Sequence, residues 1–152
     1  MNDQGESQHQ LAGWLTKEGH SLPARIYYAD TDFSGCVYHA RYLEFLERGR
    51  SDYLRLAGIH HTALLAGEAP LVWVVRRMEI DFILPARMDD IVTVETRTED
   101  ISGARIVMAQ TMLRGSTRLI SAKVEAAIVT PDGRPRRFPK DWATRLRPVL
   151  KP

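Results

Sequence analysis

Only one stretch of this chain is long enough, at helical period, to cover a sheet, while five others read as strands, and that imbalance limits the folds open to it. From Leu71 to Leu84, Val72, Val74, Met78, Ile80, Phe82 and Leu84 point one way while Arg77, Glu79 and Asp81 point the other. This is the period of a half-buried strand, and Pro85 ends it. Ile91–Thr98 and Ala104–Arg114 follow, and in Leu119–Thr130 the residues Ile120, Ala122, Val124, Ala126 and Ile128 share a face. Leu22–Tyr28 supplies a first strand, with Pro23 confined to its start or to a sheet edge. Gly103 and Gly115-Ser116 mark turns, so consecutive antiparallel pairing is the simplest topology.

The helix is expected over Val37–Ala57. Tyr42, Phe45, Leu46, Gly49, Tyr53, Leu56 and Ala57 recur at three- and four-residue intervals as one apolar stripe. On its other side Glu44 precedes Arg48 by four residues and Asp52 precedes Arg55 by three, spacings at which ion pairs add about 0.2–0.5 kcal/mol each. Gly58 follows as a left-handed stop. A five-stranded antiparallel sheet with one apolar face has only this stripe to bury against, and strand twist lets it curl around the helix, giving an α+β architecture.

Between the first strand and the helix, Tyr27-Tyr28-Ala29-Asp30-Thr31-Asp32-Phe33-Ser34-Gly35-Cys36-Val37-Tyr38-His39 crowds two acids, a glycine and a histidine into one loop. The first turn of a helix carries amides without intrahelical partners and partial positive charge, which stabilises an oxygen gaining negative charge. Gly35 permits a tight backbone that aims Asp32 toward those amides. A carboxylate beside such a helix end suits acyl transfer, the amides holding a carbonyl oxygen while the acid attacks or activates water. The plainer reading of either acid is a cap or an Asx turn.

The pattern Tyr-x-Asp-Thr-Asp-x-x-Gly-x-Val-Tyr-His-x-x-Tyr-Leu over residues 28–43, followed by Glu47-Arg48 and Arg50, resembles the 4-hydroxybenzoyl-CoA thioesterase type of hotdog-fold acyl-CoA thioesterase. The Tyr38-His39 pair is most like its bacterial Tol-Pal-associated branch. The resemblance covers Leu22–Pro139 and implies a hotdog fold, a five-stranded antiparallel sheet wrapped around one long central helix. It implies that Asp32 is the catalytic acid, that the His39 backbone amide polarises the thioester carbonyl, and that a homodimer or tetramer carries its sites at subunit interfaces. On this reading water, or Asp32 first and then water, attacks an acyl-CoA, the amides of Tyr38 and His39 stabilise the oxyanion, and coenzyme A leaves without a metal or further cofactor. Asp30 is taken as structural. The His39 ring either positions water or substrate or simply packs, and Tyr38 and Tyr42 are core or pocket wall. Glu47 is a second candidate acid, since some hotdog enzymes use a helix-borne carboxylate, with an ion-paired structural role as the default. A nucleophilic pair of Cys36 with His39 is not favoured, because the motif tolerates other residues at that position and activating a thiolate needs a specific environment. Two rivals are a non-catalytic hotdog that binds acyl-CoA or an acyl carrier, and an interaction partner of envelope or lipid-synthesis proteins.

A length of 152 residues suits one domain. Residues 1–21 read as a loose leader in which Leu11, Trp14 and Leu15 form a short amphipathic turn, 22–139 as the folded domain, and 140–152 as a basic tail whose helix runs from Pro139 to Leu146. Residues 134–152 hold seven Lys and Arg against one acid, leaving 14 against 18 elsewhere. Arg134, Arg136, Arg137 and Lys140 are a solvated surface or an attractor for the phosphates of coenzyme A. The basic run lacks interleaved stacking aromatics, which argues against nucleic acid. The adjacent side chains of His60 and His61 diverge and lack a third ligand nearby, so a metal site is not expected. A single cysteine, with no apolar run for a signal peptide or anchor, suits a soluble cytoplasmic protein.

Overall fold

In the computed structural model, which describes Leu11 and residues 13–146, six strands form one sheet in the order β1-β2-β4-β5-β6-β3. They are β1 (Trp14–Leu15), β2 (His20–Arg25), β3 (Val72–Phe82), β4 (Ile91–Ser102), β5 (Arg105–Arg114) and β6 (Thr117–Val129), and every pairing is antiparallel. Three α-helices are complete among the described residues: α1 (Arg41–Leu56), α2 (His61–Ala66) and α3 (Lys140–Leu146). The α+β class and the long helix packed on the sheet are as expected. The strand count is not, because the sheet begins inside the stretch read as a leader.

The sixth strand exists because of Asp52. Trp14 lies opposite Ser21 and Leu15 opposite His20. One Asp52 oxygen, Oδ2, accepts the Gly13 N–H at 2.8 Å and meets His20 Nε2 at 2.6 Å. Asp52 is therefore committed to the β1–β2 hairpin instead of to Arg55. The His20 ring is 1% exposed and stacks on Tyr53 with centroids 5.8 Å apart.

Burial lowers the His20 pKa below its ordinary value, and the opposing pull of Asp52 does not cancel the effect. The unfolded chain therefore takes up this proton at a higher pH than the folded one does. The His20 contribution to stability is intact above about pH 6.5 and declines as the pH falls through that value toward the lower folded pKa. Thermal unfolding from pH 7.5 to 5.5 should show a shallower loss of stability for His20→Gln than for wild type, and equal slopes would contradict this.

Consecutive pairing, the simplest expectation, fails at one place. Strand β3 pairs with β6 at the far edge of the sheet instead of beside β2 or β4. Reaching β4 means passing two strands, roughly 14 Å at ~4.8 Å per spacing, within reach of the segment 83–90 at ~3.3 Å per residue. That crossover runs under the acidic loop: Val37 N–H donates to Ala86 O at 2.9 Å, and Asp89 N–H donates to Ile26 O at 2.9 Å. Val37 also bridges to Thr31, so the chain before Arg41 is held out of the helix and α1 starts four residues later than its periodicity suggested.

The helix buries Tyr42, Phe45, Leu46, Gly49, Tyr53 and Leu54, while Leu56, placed in the stripe by spacing alone, is 37% exposed. Glu44 pairs with Arg41 at 2.6 Å and not with Arg48. Gly49 lets helix and sheet approach closely, since an added Cβ would stand 2.7 Å from Val94 Cγ1. At the other end α3 docks: Trp142 stacks on Trp73 at 5.8 Å, and the Tyr53 hydroxyl donates to Leu146 O at 2.5 Å. The described part of the expected basic tail is thus a packed helix; residues 1–10, 12 and 147–152 lie outside the described residues.

Candidate active site

The acidic loop is a miniature hairpin closed by local hydrogen bonds. Thr31 bridges Val37, Asp32 N–H donates to Cys36 O at 3.0 Å, and Gly35 N–H donates back to Asp32 O at 3.0 Å. Gly35 sits at φ +80°, the left-handed conformation that closes such a turn and that other residues adopt reluctantly. Asp30 braces the loop from behind: its carboxylate accepts the Tyr27 N–H at 2.8 Å and lies 3.7 Å from Arg41 Nε. The structural role expected of Asp30 matches these contacts.

The Asp32 carboxylate accepts both the Ser34 backbone N–H, at 2.8 Å, and the Ser34 hydroxyl, at 2.5 Å. The Ser34 hydroxyl bond, then the Ser34 amide, and then the nearby His39 charge hold its pKa below the ordinary carboxylate value. Asp32 is therefore an oriented anion at neutral pH, as a general base or nucleophile must be. Ser34 is a hydrogen-bond partner of Asp32 that sequence reasoning passed over, although Asp-x-Ser is a local Asx-type signal. In the single chain Asp32 is exposed, as are Phe33, Ser34 and Gly35. The acid is therefore not enclosed with the helix amides in one chain.

The two amides expected to hold an oxyanion fare differently. Tyr38 N–H already donates to Asp30 O at 3.0 Å, so it is spent on bracing the loop and is not a spare donor. His39 N–H has no hydrogen-bond partner among the described residues. The His39 ring tilts against Tyr38 at 4.6 Å and meets the edge of Phe82 at 6.5 Å. The α1 N-terminus has no side-chain cap, leaving its positive end open.

Tyr42, read as core or pocket wall and counted among the substrate-binding candidates, is a core residue in this chain. Its ring is 3% exposed and its oxygen accepts Ala86 N–H at 2.9 Å, so it supports the crossover beneath the loop. Burial raises its pKa, which keeps the phenol neutral. Arg134, Arg136 and Arg137 are exposed and lie after β6, beyond Val129, which pairs with Val72 at the start of β3. Asp32 and His39 lie at the other end of β3, beside Phe82, so one chain does not bring the basic cluster to the acid. Cys36 is half-buried, its N–H 3.3 Å from Ser34 Oγ. Glu47 accepts the Ser51 hydroxyl at 2.5 Å and lines a cavity with Arg50 and His61, well along α1 from the acid loop.

This chain is similar to proteins with known descriptions. Residues 34–121 match the thioesterase superfamily. A curated acyl-CoA thioesterase, YbgC of Haemophilus influenzae, is 42% identical over 128 residues, covering 84% of this chain and 93% of that protein. The crystal structure of a probable thioesterase from Bartonella henselae superposes with a TM-score of 0.78 at 51% identity, covering 80% of this chain and 99% of the other. A 4-hydroxybenzoyl-CoA thioesterase mutant complexed with 4-hydroxybenzoyl-CoA superposes with a TM-score of 0.78 at 18% identity, over 83% of this chain and 96% of that one, which shows the shared hotdog fold. Sequence and fold agree: the chain belongs to the thioesterase superfamily.

Proposed function

We propose that this protein hydrolyses acyl-CoA thioesters, with Asp32 as nucleophile or general base and the His39 amide as the oxyanion donor. The observation that carries the reading is the exposed, ionised Asp32, fixed by Ser34 and Gly35 in the loop whose His39 amide, two residues ahead of α1, is uncommitted among the described residues. The carbonyl oxygen takes the His39 N–H as its charge grows; either Asp32 takes a proton from a water that attacks the carbonyl carbon, or Asp32 attacks it to form an acyl anhydride that water then hydrolyses, and by either route the C–S bond breaks and the coenzyme A thiolate departs.

The exposure of Asp32 also favours a homodimer. Strand β3 is an edge strand whose outer side pairs with no strand among the described residues, and Val75 and Phe82 on it are 49% and 53% exposed. Two copies pairing through that edge satisfy its backbone and bury those side chains. A cytosolic setting belongs to the same proposal; among the described residues no helix is long and apolar enough to cross a membrane. Acyl groups carried on an acyl carrier are alternative substrates of the same thioester chemistry.

The test is a panel of short, long and aromatic acyl-CoA thioesters with thiol release followed by a thiol-reactive dye. Binding without thiol release from any of them would favour the non-catalytic acyl-CoA-binding reading and overturn hydrolysis. His39→Ala keeps the backbone amide and should cost less than ~10-fold in kcat/KM, whereas a loss as large as that of an Asp32 variant would show that the imidazole itself takes part.

A further inference from the structure

At the tip of the acid loop one oxygen of the Asp32 carboxylate carries both of its hydrogen bonds. Oδ1 accepts the Ser34 N–H at 2.8 Å and the Ser34 hydroxyl at 2.5 Å, while Oδ2 meets no donor among the described residues. An ionised carboxylate only accepts, so the hydroxyl must donate, and its oxygen is left to accept the Cys36 N–H at 3.3 Å. One backbone donor and one side-chain donor thus converge on a single atom. Because a carboxylate is planar and rigid, placing Oδ1 places Oδ2 as well.

The loop does not need this hydroxyl to close. Asp32 N–H to Cys36 O and Gly35 N–H to Asp32 O are backbone bonds, and the Thr31–Val37 bridge lies outside them. Ser34 is exposed, so its side chain adds no core packing. The hydroxyl is spent on Asp32.

Two effects of that bond oppose each other. It stabilises the anion more before the reaction than after the charge has begun to leave Asp32, so on charge alone it slows the step. Only part of the charge has left at the transition state, and this loss is a fraction of one hydrogen bond, roughly several-fold. Against it stands placement, since a reacting atom displaced by ~1 Å costs ~10² in rate. Placement is the larger effect for a side chain as exposed as Asp32.

We propose that Ser34 is a positioning residue for the hydrolysis: its hydroxyl and amide tie down Oδ1 of Asp32, so that Oδ2 is the atom that bonds to the thioester carbon or accepts the proton lost by the attacking water. This rests on the hydrolase reading above and names the atom that performs it. Ser34 itself touches no reacting atom. Its bonds favour the ionised acid, so removing the hydroxyl lets Asp32 take up a proton at higher pH and moves the acid limb of the rate profile upward.

Ser34→Thr and Ser34→Val have side chains of one shape and differ in the hydroxyl. With butyryl-CoA, Ser34→Val should lose about 10-fold in kcat with KM within about 2-fold of wild type, and Ser34→Thr should recover most of that loss. The acid limb of kcat/KM should lie at higher pH in the valine variant than in the threonine one. Equal kcat and coincident limbs would overturn the assignment, as would a difference seen only in thermal unfolding, which is what a merely structural hydroxyl predicts. An acyl group found on Ser34 by mass spectrometry during wild-type turnover would also overturn it, by making the hydroxyl the nucleophile. Should Ser34→Val fail to fold, Ser34→Ala removes the same bond. Titration of the Asp32 carboxyl by NMR in the unliganded protein separates the two readings. Normal hydrolysis with coincident midpoints in the two variants sinks the positioning role alone; no wild-type thiol release from any thioester sinks hydrolysis and the positioning role with it, even where the valine midpoint is the higher.

Discussion

Asp32→Asn should lower the rate of thioester hydrolysis by about 10² or more while leaving the fold intact. Asparagine keeps the shape and still offers an oxygen to the Ser34 N–H and hydroxyl, so the turn closed by Gly35 survives. What disappears is the anion. An amide oxygen neither attacks a thioester usefully nor takes a proton from water at neutral pH. Because the residue is exposed in the chain, the melting temperature should move little, consistent with surface substitutions lying within about 0.5 kcal/mol. Acyl-CoA binding measured calorimetrically should persist. Near-normal turnover in this variant would remove Asp32 from the mechanism.

The largest stability effect is expected at Gly49. Its missing side chain lets α1 sit against β4 and β5: a Cβ there would stand 2.7 Å from Val94 Cγ1, 3.2 Å from Thr96 Oγ1 and 3.3 Å from Gln110 Nε2. All three neighbours are buried, so little can give way. Gly49→Leu gains roughly 1 kcal/mol of helix propensity but wedges a full side chain into this contact, and a net loss of about 3 kcal/mol is expected. For a chain of this size that is a drop of ~6–12 °C in thermal unfolding. Gly49→Ala should fall between the two, and a Leu variant that melts at or above the wild-type temperature would mean the helix is not seated as described. The same wedge would push on Gln110, which holds Arg50, Leu46 and Thr96 by hydrogen bonds.

The parts of this fold that could be read in advance are those written in local spacing. Alternation over Leu119–Thr130 appears as the buried row Ile120, Ala122, Val124, Ala126 and Ile128, and the stripe from Tyr42 to Tyr53 is the buried face of α1. The turn around Asp32 and Gly35 was legible for the same reason, since its hydrogen bonds span a handful of residues. What escaped depends on partners far along the chain. Asp52 had a plausible neighbour in Arg55, yet it binds Gly13 and His20, 39 and 32 residues away. Nothing in the alternation of β3 says that it joins β6, because period fixes which way side chains point and not which strand lies alongside. Tyr42 faces inward as its spacing requires, but its hydroxyl goes to Ala86, a partner with no sequence mark. The cavity is assembled from α1, α2, β3, β5 and β6, so no single segment announces it.

The bare outer margin of β3 has a consequence for how such a chain lives in a cell. On the dimer proposed above, a newly released copy carries one unpaired side of an eleven-residue strand, with apolar groups beside it, until it finds its twin, and that is the surface on which wrong associations start. Yield on overexpression should therefore depend on the race between correct pairing and clumping, with slower synthesis at lower temperature favouring the former. A charge introduced at Val75 would blunt the margin against misassociation and, by the same stroke, leave the protein solitary.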